Sequence, residues 1–448
     1  MKNVMLGGCL VLLVAGCSGS GGPVLDEATR FQAMTQDIQI DGASGVSIDE
    51  ALEHHGADGA TVVVFEDGVP TLLRGHYGYQ DRAAGIETDG QTIYQAASLS
   101  KFVAGLGMVK GARLHGEFGL GRKVSDTASG HAGSLVSVWV NVQGIQGVAA
   151  VAATQMISIR RLLKNAAGLN RPTTGTECSH PSATTGLDDL LTPIGSDPVE
   201  IVGTPGTKWK YSSGGFALAE AMLLAETGRN GEEFLETEIL EPFGMDESTF
   251  ADASASMDHL ARGCDSEPCA CEVEYAEVKF PGGLLAHPVE YAAFLREVMN
   301  VSVDGVGRGG LTADDLHEAL RPAQHATLSS NASCTSDAGC PPLPILGSIN
   351  PICHTGTCIQ PLETGNEENS GGEAGGWYGT GVHLSPDRDV GGYSRTLHHL
   401  GGQDGVTTYF SVDRSLKNGI VIMINGGPKA GRKALRADIF DAFERHFR

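Results

Sequence analysis

Short apolar runs lie near both ends of the chain, and helical spacing dominates between them. Thr61-Val62-Val63-Val64-Phe65 and Pro70-Thr71-Leu72-Leu73-Arg74 flank Asp67-Gly68, the pattern of a β-hairpin. Far along the chain, Thr407, Tyr409 and Ser411, then Gly419-Ile420-Val421-Ile422-Met423-Ile424, predict two strands separated by a turn over 413–418. The last segment sets Leu435, Ile439, Phe443 and Phe447 on one face of a helix.

The middle is different. A helix is expected from near Ser98, with Phe102, Leu106 and Val109 at helical spacing. Ser158 reads as the N-cap of a short helix through Arg160, Leu162 and Leu163, stopped near Gly168. Residues 216–227 predict a buried helix ending at Gly228, and residues 232–240 another, closed by Pro242. Residues 130–155 are rich in Gly, Ala and Val, but Asn141, Gln143 and Gln146 interrupt them. They read as a surface or core excursion and not as a membrane span. Residues 18–41 suggest a tether plus a weak helix, and residues 362–376 a polar, Gly-rich flexible loop. Strands at both ends with helices between predict an α+β fold: an antiparallel sheet built from both chain ends, flanked by helices, with an inserted, mainly helical subdomain. No internal repeat is visible.

Composition narrows the class. A chain of 448 residues that is 41% apolar can bury a sizeable core, and 62 glycines point to many loops. The net charge of −23 disfavours nucleic acid and anionic membrane surfaces as partners.

The start of the chain reads as an export signal. Lys2 precedes a short apolar run from Val4 to Gly16, and Val14-Ala15-Gly16-Cys17 is followed by Ser18-Gly19-Ser20-Gly21-Gly22. Small residues before a cysteine and a flexible tether after it resemble a bacterial lipobox. That resemblance implies a signal peptide over 1–16, lipidation of Cys17, a tether over 17–44, and a membrane-anchored protein facing the periplasm or cell surface. The alternative is a plain secretory leader with an incidental cysteine. The cysteines beyond are even in number: Cys178, Cys264, Cys269, Cys271, Cys334, Cys340, Cys353 and Cys358. Export favours disulfides over zinc, and the spacings do not match common zinc modules. Residues 262–275 and 332–361 are expected to be disulfide-stapled insertions, and neither metal nor cofactor is expected.

One pair carries nucleophile chemistry. Ser98 and Lys101 stand three apart at the predicted start of an apolar helix. A serine hydroxyl needs a group to take its proton, and a lysine made neutral by burial or nearby positive charge can do so. Helix N-terminal N–H groups can steady an oxyanion. Alone, the spacing fits an N-cap serine beside a solvated lysine equally well.

The surrounding blocks tip that balance. Tyr94-Gln95-Ala96-Ala97-Ser98-Leu99-Ser100-Lys101-Phe102 resembles the active-site segment of the class C β-lactamase-related serine hydrolases, which include D-alanyl-D-alanine carboxypeptidases, D-aminopeptidases and family VIII esterases. Residues 157–169, ending in Leu162-Leu163-Lys164-Asn165-Ala166-Ala167-Gly168-Leu169, are similar to that family's Leu-Leu-x-His-x-Ser-Gly-Leu segment. Pro205-Gly206, then Tyr211-Ser212-Ser213, resembles its Pro-Gly-x-x-x-x-Tyr-Ser-Asn, and Pro242-Phe243-Gly244-Met245 and Gly282-Gly283-Leu284 resemble two later blocks. His399-Leu400-Gly401-Gly402 takes the place of its third motif, Lys or His followed by Thr and Gly. The resemblance spans residues 45–448 and implies a β-lactamase/transpeptidase-like fold.

It also implies roles. Ser98 becomes the nucleophile, Lys101 its proton partner and Tyr211 a proton shuttle whose ionisation is helped by Lys101 and His399. The N–H groups of Ser98 and Gly402 would form the oxyanion hole, and Ser213, His399, Gly401 and Gly402 would line the substrate site. Three departures bear on substrate. Ser213 lacks the paired donor and acceptor of the family's Asn. Leu400 replaces a Thr whose hydroxyl helps bind a substrate carboxylate. Lys164-Asn165-Ala166 departs from His-x-Ser at a position read as structural. The expectation is an esterase-like hydrolase of small-molecule or peptide esters or amides, with a β-lactamase or D-alanyl-D-alanine carboxypeptidase as one alternative and a non-catalytic binding lipoprotein as another.

Overall fold

The strand Gly59–Phe65 is apolar without interruption because both its faces are covered. Val63 and Phe65 project into a large core with Leu99, Phe102, Phe410, Val421 and Met423. Ala60, Val62 and Val64 project into a second core with Ile420, Ile422, Leu435 and Ile439. The two-residue period of a strand sends alternate side chains to opposite faces, so a strand between two layers needs no polar positions. The structure, a computed structural model, describes residues 26–130, 134–172, 176–177, 186–192, 197–251, 258–265, 273, 275–301, 305–325, 332–335, 340, 351–354, 357–364, 376–386 and 394–448.

Along the chain, α1 (Glu27–Thr35) and α2 (Ile48–His55) precede β1 (Gly59–Phe65), β2 (Leu73–Asp81) and β3 (Ile86–Glu87). The helical part holds α3 (Ser100–Leu114), α4 (Leu135–Ile145), α5 (Val148–Thr154), α6 (Ile159–Leu163), α7 (Ser213–Thr227), α8 (Lys279–Gly282), α9 (Pro288–Met299) and α10 (Ala313–Ala319). The sheet then resumes with β4 (Trp377–Tyr378), β5 (His383–Pro386), β6 (Ser394–Gln403), β7 (Val406–Asp413) and β8 (Asn418–Asn425), and α11 (Lys429–Phe447) closes the chain.

These strands form one eight-stranded antiparallel sheet in the order β4-β5-β6-β7-β8-β1-β2-β3. The β8–β1 pair, with Val421 opposite Val63, joins the two ends of the chain. α1, α2 and α11 cover one face and the helical part covers the other. The fold is thus the expected α+β, β-lactamase/transpeptidase-like one.

Several elements differ in detail from the sequence reading. β2 begins at Leu73, so Pro70 lies in the turn. The excursion over 130–155 contains two helices, α4 and α5, with Trp139 buried and its indole N–H donating to the Val199 carbonyl at 2.9 Å. Pro242 does not close a helix. The segment runs Gly231–Leu235 as α-helix, Glu236–Leu240 as a π-turn and Glu241–Phe243 as α-helix, ending at Gly244 with φ +68°. The three pieces run on without a break, and the wider π-turn directly precedes Pro242, which cannot join a regular i→i−4 ladder.

Two disulfides, Cys334–Cys353 and Cys340–Cys358, staple the hairpin of Ile352–His354 and Thr357–Ile359, so the 332–361 segment is disulfide-bonded as expected. Cys264 is also disulfide-bonded. Residues 1–25, with Cys17, most of 262–275 and residues 365–375 lie outside the described residues. Among the described residues no helix is long and apolar enough to cross a membrane.

Candidate active site

The residues around Ser98 form a tight turn held from three sides. Ala97 adopts φ +50°, unusual for a residue with a Cβ, in a 3₁₀ turn over Ala97–Leu99 that leads into α3. Regular helix therefore begins at Ser100, two residues later than the sequence reading placed it. Below the turn, Ser100 Oγ donates to the Ala97 carbonyl at 2.6 Å and accepts from Leu284 N–H at 3.0 Å. Thr408 of β7 donates to the Ala96 carbonyl at 2.9 Å, and the Tyr291 hydroxyl of α9 donates to Leu99 O at 3.0 Å.

Two side chains converge on Ser98 Oγ. Lys101 Nζ lies 3.0 Å away and the Tyr211 hydroxyl 2.9 Å away. Lys101 is fully buried and also donates to the Pro281 carbonyl of α8. Burial, and then the positive charge of Arg171, hold its amine well below the usual lysine value. A lysine in that state can accept a proton.

Tyr211 precedes α7, and its turn is fixed by Asn165. Asn165 adopts φ +53°, accepts Ser212 N–H on Oδ1 at 3.1 Å and accepts Lys210 N–H on its carbonyl at 2.9 Å. Lys164, beside it, is buried and donates to the carbonyls of Glu318 and Arg321, each at 2.8 Å. The Lys164-Asn165 departure is thus a pair of structural anchors. Ser213 opens α7 behind the N-cap Ser212, half-buried two residues from Tyr211.

The third block lies on β6. β5 pairs with residues 394–398 of that strand, and residues 399–403 run on past β5 beside the Ser98 turn. A Cβ on Gly401 would come within 2.7 Å of the Ala96 carbonyl and 2.0 Å of Thr408 Oγ1, so this position needs glycine for close approach. A Cβ on Gly402 would meet nothing within 4 Å. Leu400 packs on the opposite face, against the core under α11.

His399 requires a correction. Its ring is buried, its Nε2 pairs with the Tyr378 hydroxyl at 3.1 Å, and its Nδ1 with the Leu400 carbonyl at 2.8 Å. Burial, and next the Lys101 amine, push its pKa down to about 3. It is neutral at ordinary pH and cannot lend Tyr211 positive charge. The cation beside Tyr211 is Arg171, whose guanidinium lies 5.0 Å from the ring centroid.

Sequence reading missed Arg171, whose only signal was its place two residues after Leu169. It also missed Glu220, the one charged residue in the apolar run of α7. Glu220 is buried and its two oxygens accept N–H groups from Lys279 at 3.2 Å and Phe280 at 2.8 Å. It thereby fixes the start of α8, whose Pro281 carbonyl receives Lys101. Burial pushes the Glu220 carboxyl up to about 7.

A serine, a buried lysine one helical turn on and a tyrosine just before a neighbouring helix, set between an antiparallel sheet and a helical layer, define the β-lactamase-fold serine hydrolases. The chain belongs to the Beta-lactamase family, whose model matches residues 47–443. Protein flp of Staphylococcus aureus (strain COL) is 26% identical over 235 residues, 51% of this chain but only 43% of that protein. Among solved structures, EstCE1, a hydrolase with promiscuous acyltransferase activity, is 16% identical with a TM-score of 0.61, covering 93% of this chain and 97% of its own. A penicillin binding protein from Bacillus halodurans is 16% identical with a TM-score of 0.59, covering 89% and 99%. A class C beta-lactamase is 14% identical with a TM-score of 0.57, covering 93% and 97%. At these identities the structural likeness speaks for the fold.

Proposed function

We propose that this protein hydrolyses small esters or simple amides through an acyl-enzyme on Ser98. The observation that carries the reading is the convergence of Lys101 Nζ and the Tyr211 hydroxyl on Ser98 Oγ, at 3.0 and 2.9 Å. Lys101, held neutral, takes the Ser98 proton as Oγ bonds to the substrate carbonyl carbon. The N–H groups of Ser98 and Gly402 steady the oxyanion. Tyr211 gives its proton to the leaving group as the bond from that group to the carbonyl carbon breaks, and the proton held by Lys101 replaces it, so that Lys101 is neutral again. Water then adds to the acyl carbon by the same relay and frees the acid and the Ser98 hydroxyl.

Two features favour esters over carboxylate-bearing β-lactams. Leu400 offers no hydroxyl, and its side chain is committed to the core under α11. Ser213 cannot give both donor and acceptor to an acylamido group. The solved relatives described as penicillin binding and beta-lactamase proteins support the second reading, turnover of β-lactams or D-alanyl peptides. With Cys17 lipidated, the enzyme would face the periplasm or the cell surface on a short tether.

Incubation with a fluorescent phosphonate and, separately, with a labelled penicillin, followed by peptide mass mapping, tests the proposal. Phosphonate on Ser98 without a penicillin adduct is the expected result. A stable or turned-over penicillin adduct on Ser98 supports the second reading. No adduct from either probe on folded protein overturns both and favours a binding lipoprotein.

A further inference from the structure

A cavity of about 560 Å³ opens between α6 and the segment that follows α10, and none of Ser98, Lys101, Tyr211 or His399 lines it. Its charged lining is of one sign. Lys123, Arg160, Arg161, Lys164 and Arg321 face it, with His325 at one side, and no Asp or Glu is among the lining residues. This is a strong local departure in a chain of net charge −23.

The nearest carboxylate, Glu318, engages part of this charge. It takes Arg160 at 2.6 and 3.3 Å and Lys164 at 3.2 Å. Lys164 also donates to two carbonyls, so it serves as a floor that holds the wall in place. The other three cations are not paired with Glu318 directly, although Arg321 lies close enough to feel its charge. Among the described residues, Lys123, Arg161 and Arg321 form no ion pair with a carboxylate. Arg161 spends one nitrogen on the Met156 carbonyl, and the Arg321 fork lies against the side-chain amide of Gln324. Burial lowers the pKa of both guanidinium groups, for Arg321 against the opposing pull of the Glu318 charge.

We propose that this cavity is a second ligand site, for a small oxyanion carrying two or more charges, of the phosphate or carboxylate type. Guanidinium forks present paired N–H donors that match both chemistries. The volume falls within the range of small-molecule sites, about 300–1,000 Å³. Lys123, at the exposed mouth, adds attraction without a fixed geometry. Bound anion would balance the Arg161 charge and the part of the Arg321 charge that Glu318, shared with Arg160 and Lys164, does not.

Isothermal titration of the whole protein at low ionic strength with pyrophosphate and with citrate tests this. Saturable binding of one equivalent is expected for at least one of them; preference for pyrophosphate indicates a phosphorylated ligand and preference for citrate a polycarboxylate. Arg161→Gln and Arg321→Gln should each weaken binding about tenfold, the value of one lost charge-assisted hydrogen bond. Should either variant fail to fold, Lys123→Gln, an exposed change, still decides: its affinity should fall about threefold and that of the wild-type protein should drop with added salt. Ser98→Ala should bind as the wild type does. No saturable binding of either anion, affinity unchanged in all folded variants, or loss of binding in Ser98→Ala overturns the proposal.

Discussion

The guanidinium of Arg171 lies over the ring of Tyr211, 5.0 Å from its centroid, and its charge is felt by the buried amine of Lys101. It disfavours a second cation in the site, so it helps keep Lys101 neutral. Arg171→Gln should raise the Lys101 pKa and shift the acid limb of the kcat/KM profile to higher pH. A p-nitrophenyl acetate assay across pH reads this directly, and an acid limb that stays in place contradicts the coupling.

The Tyr211 hydroxyl donates to the nucleophile, Ser98 Oγ, at 2.9 Å. Tyr211→Phe keeps the ring that packs with Trp209 and Tyr378 and removes only the hydroxyl at Ser98. The melting temperature should stay near that of the wild type while kcat falls about 10²–10⁴-fold. Stopped-flow and thermal unfolding on the same preparation separate the two effects. Retained turnover would assign the proton relay to another group.

Adjacent glycines on β6 should behave differently. Gly401→Ala drives a Cβ to within 2.7 Å of the Ala96 backbone and should cost about 1–3 kcal/mol with a loss of turnover, because the Ser98 turn must shift. Gly402→Ala meets open space and should change stability by no more than about 1 kcal/mol. Equal costs by urea unfolding would contradict the packing assigned to Gly401.

Glu220 makes a pH-dependent contribution. Its folded pKa of about 7 stands above its ordinary 4.5. Between those values the folded chain keeps a proton that the unfolded chain has released, so this group lowers stability as pH rises, by about 3 kcal/mol across the window. His399 acts oppositely, since its pKa of about 3 lies below 6.5 and its contribution rises with pH over that span. The His399 effect is common to wild type and Glu220→Gln and cancels in their difference. Denaturant unfolding from pH 4.5 to 7 should show the variant gaining on the wild type as pH rises. A constant difference would show that Glu220 does not titrate in this range.

Much of this was legible in residue order. The apolar run Val62-Val63-Val64-Phe65 and the run Ile420 to Ile424 announced strands, though not their place side by side in the sheet, and α11 followed from one apolar stripe. Ser98, Lys101 and Tyr211 were found through the blocks around them, and the structure does bring the three together. What escaped the sequence depended on three-dimensional environment. The neutral state of His399 comes from burial among Tyr378, His383 and Lys101, which no local spacing encodes. Arg171 and Glu220 act through contacts with segments distant in the chain. The π-turn before Pro242 reflects a local accommodation of proline that periodicity does not reveal.

The seam between β8 and β1 has a consequence for how the protein comes into being. Val63 can pair early with Arg74 of β2, but its other partner, Val421, comes only near the end of the chain, and the turn carrying Ser98 leans on Thr408 of the strand beside β8. Closing so long a loop costs only logarithmically more entropy than a short one, but such distant pairing slows folding. The catalytic centre is therefore expected to be among the last parts of the molecule to mature. Pulse-labelled hydrogen exchange during refolding should show the β8 amides bonded to β1 gaining protection later than the amides shared by β1 and β2; protection of both sets together would mean that the seam is not the late step.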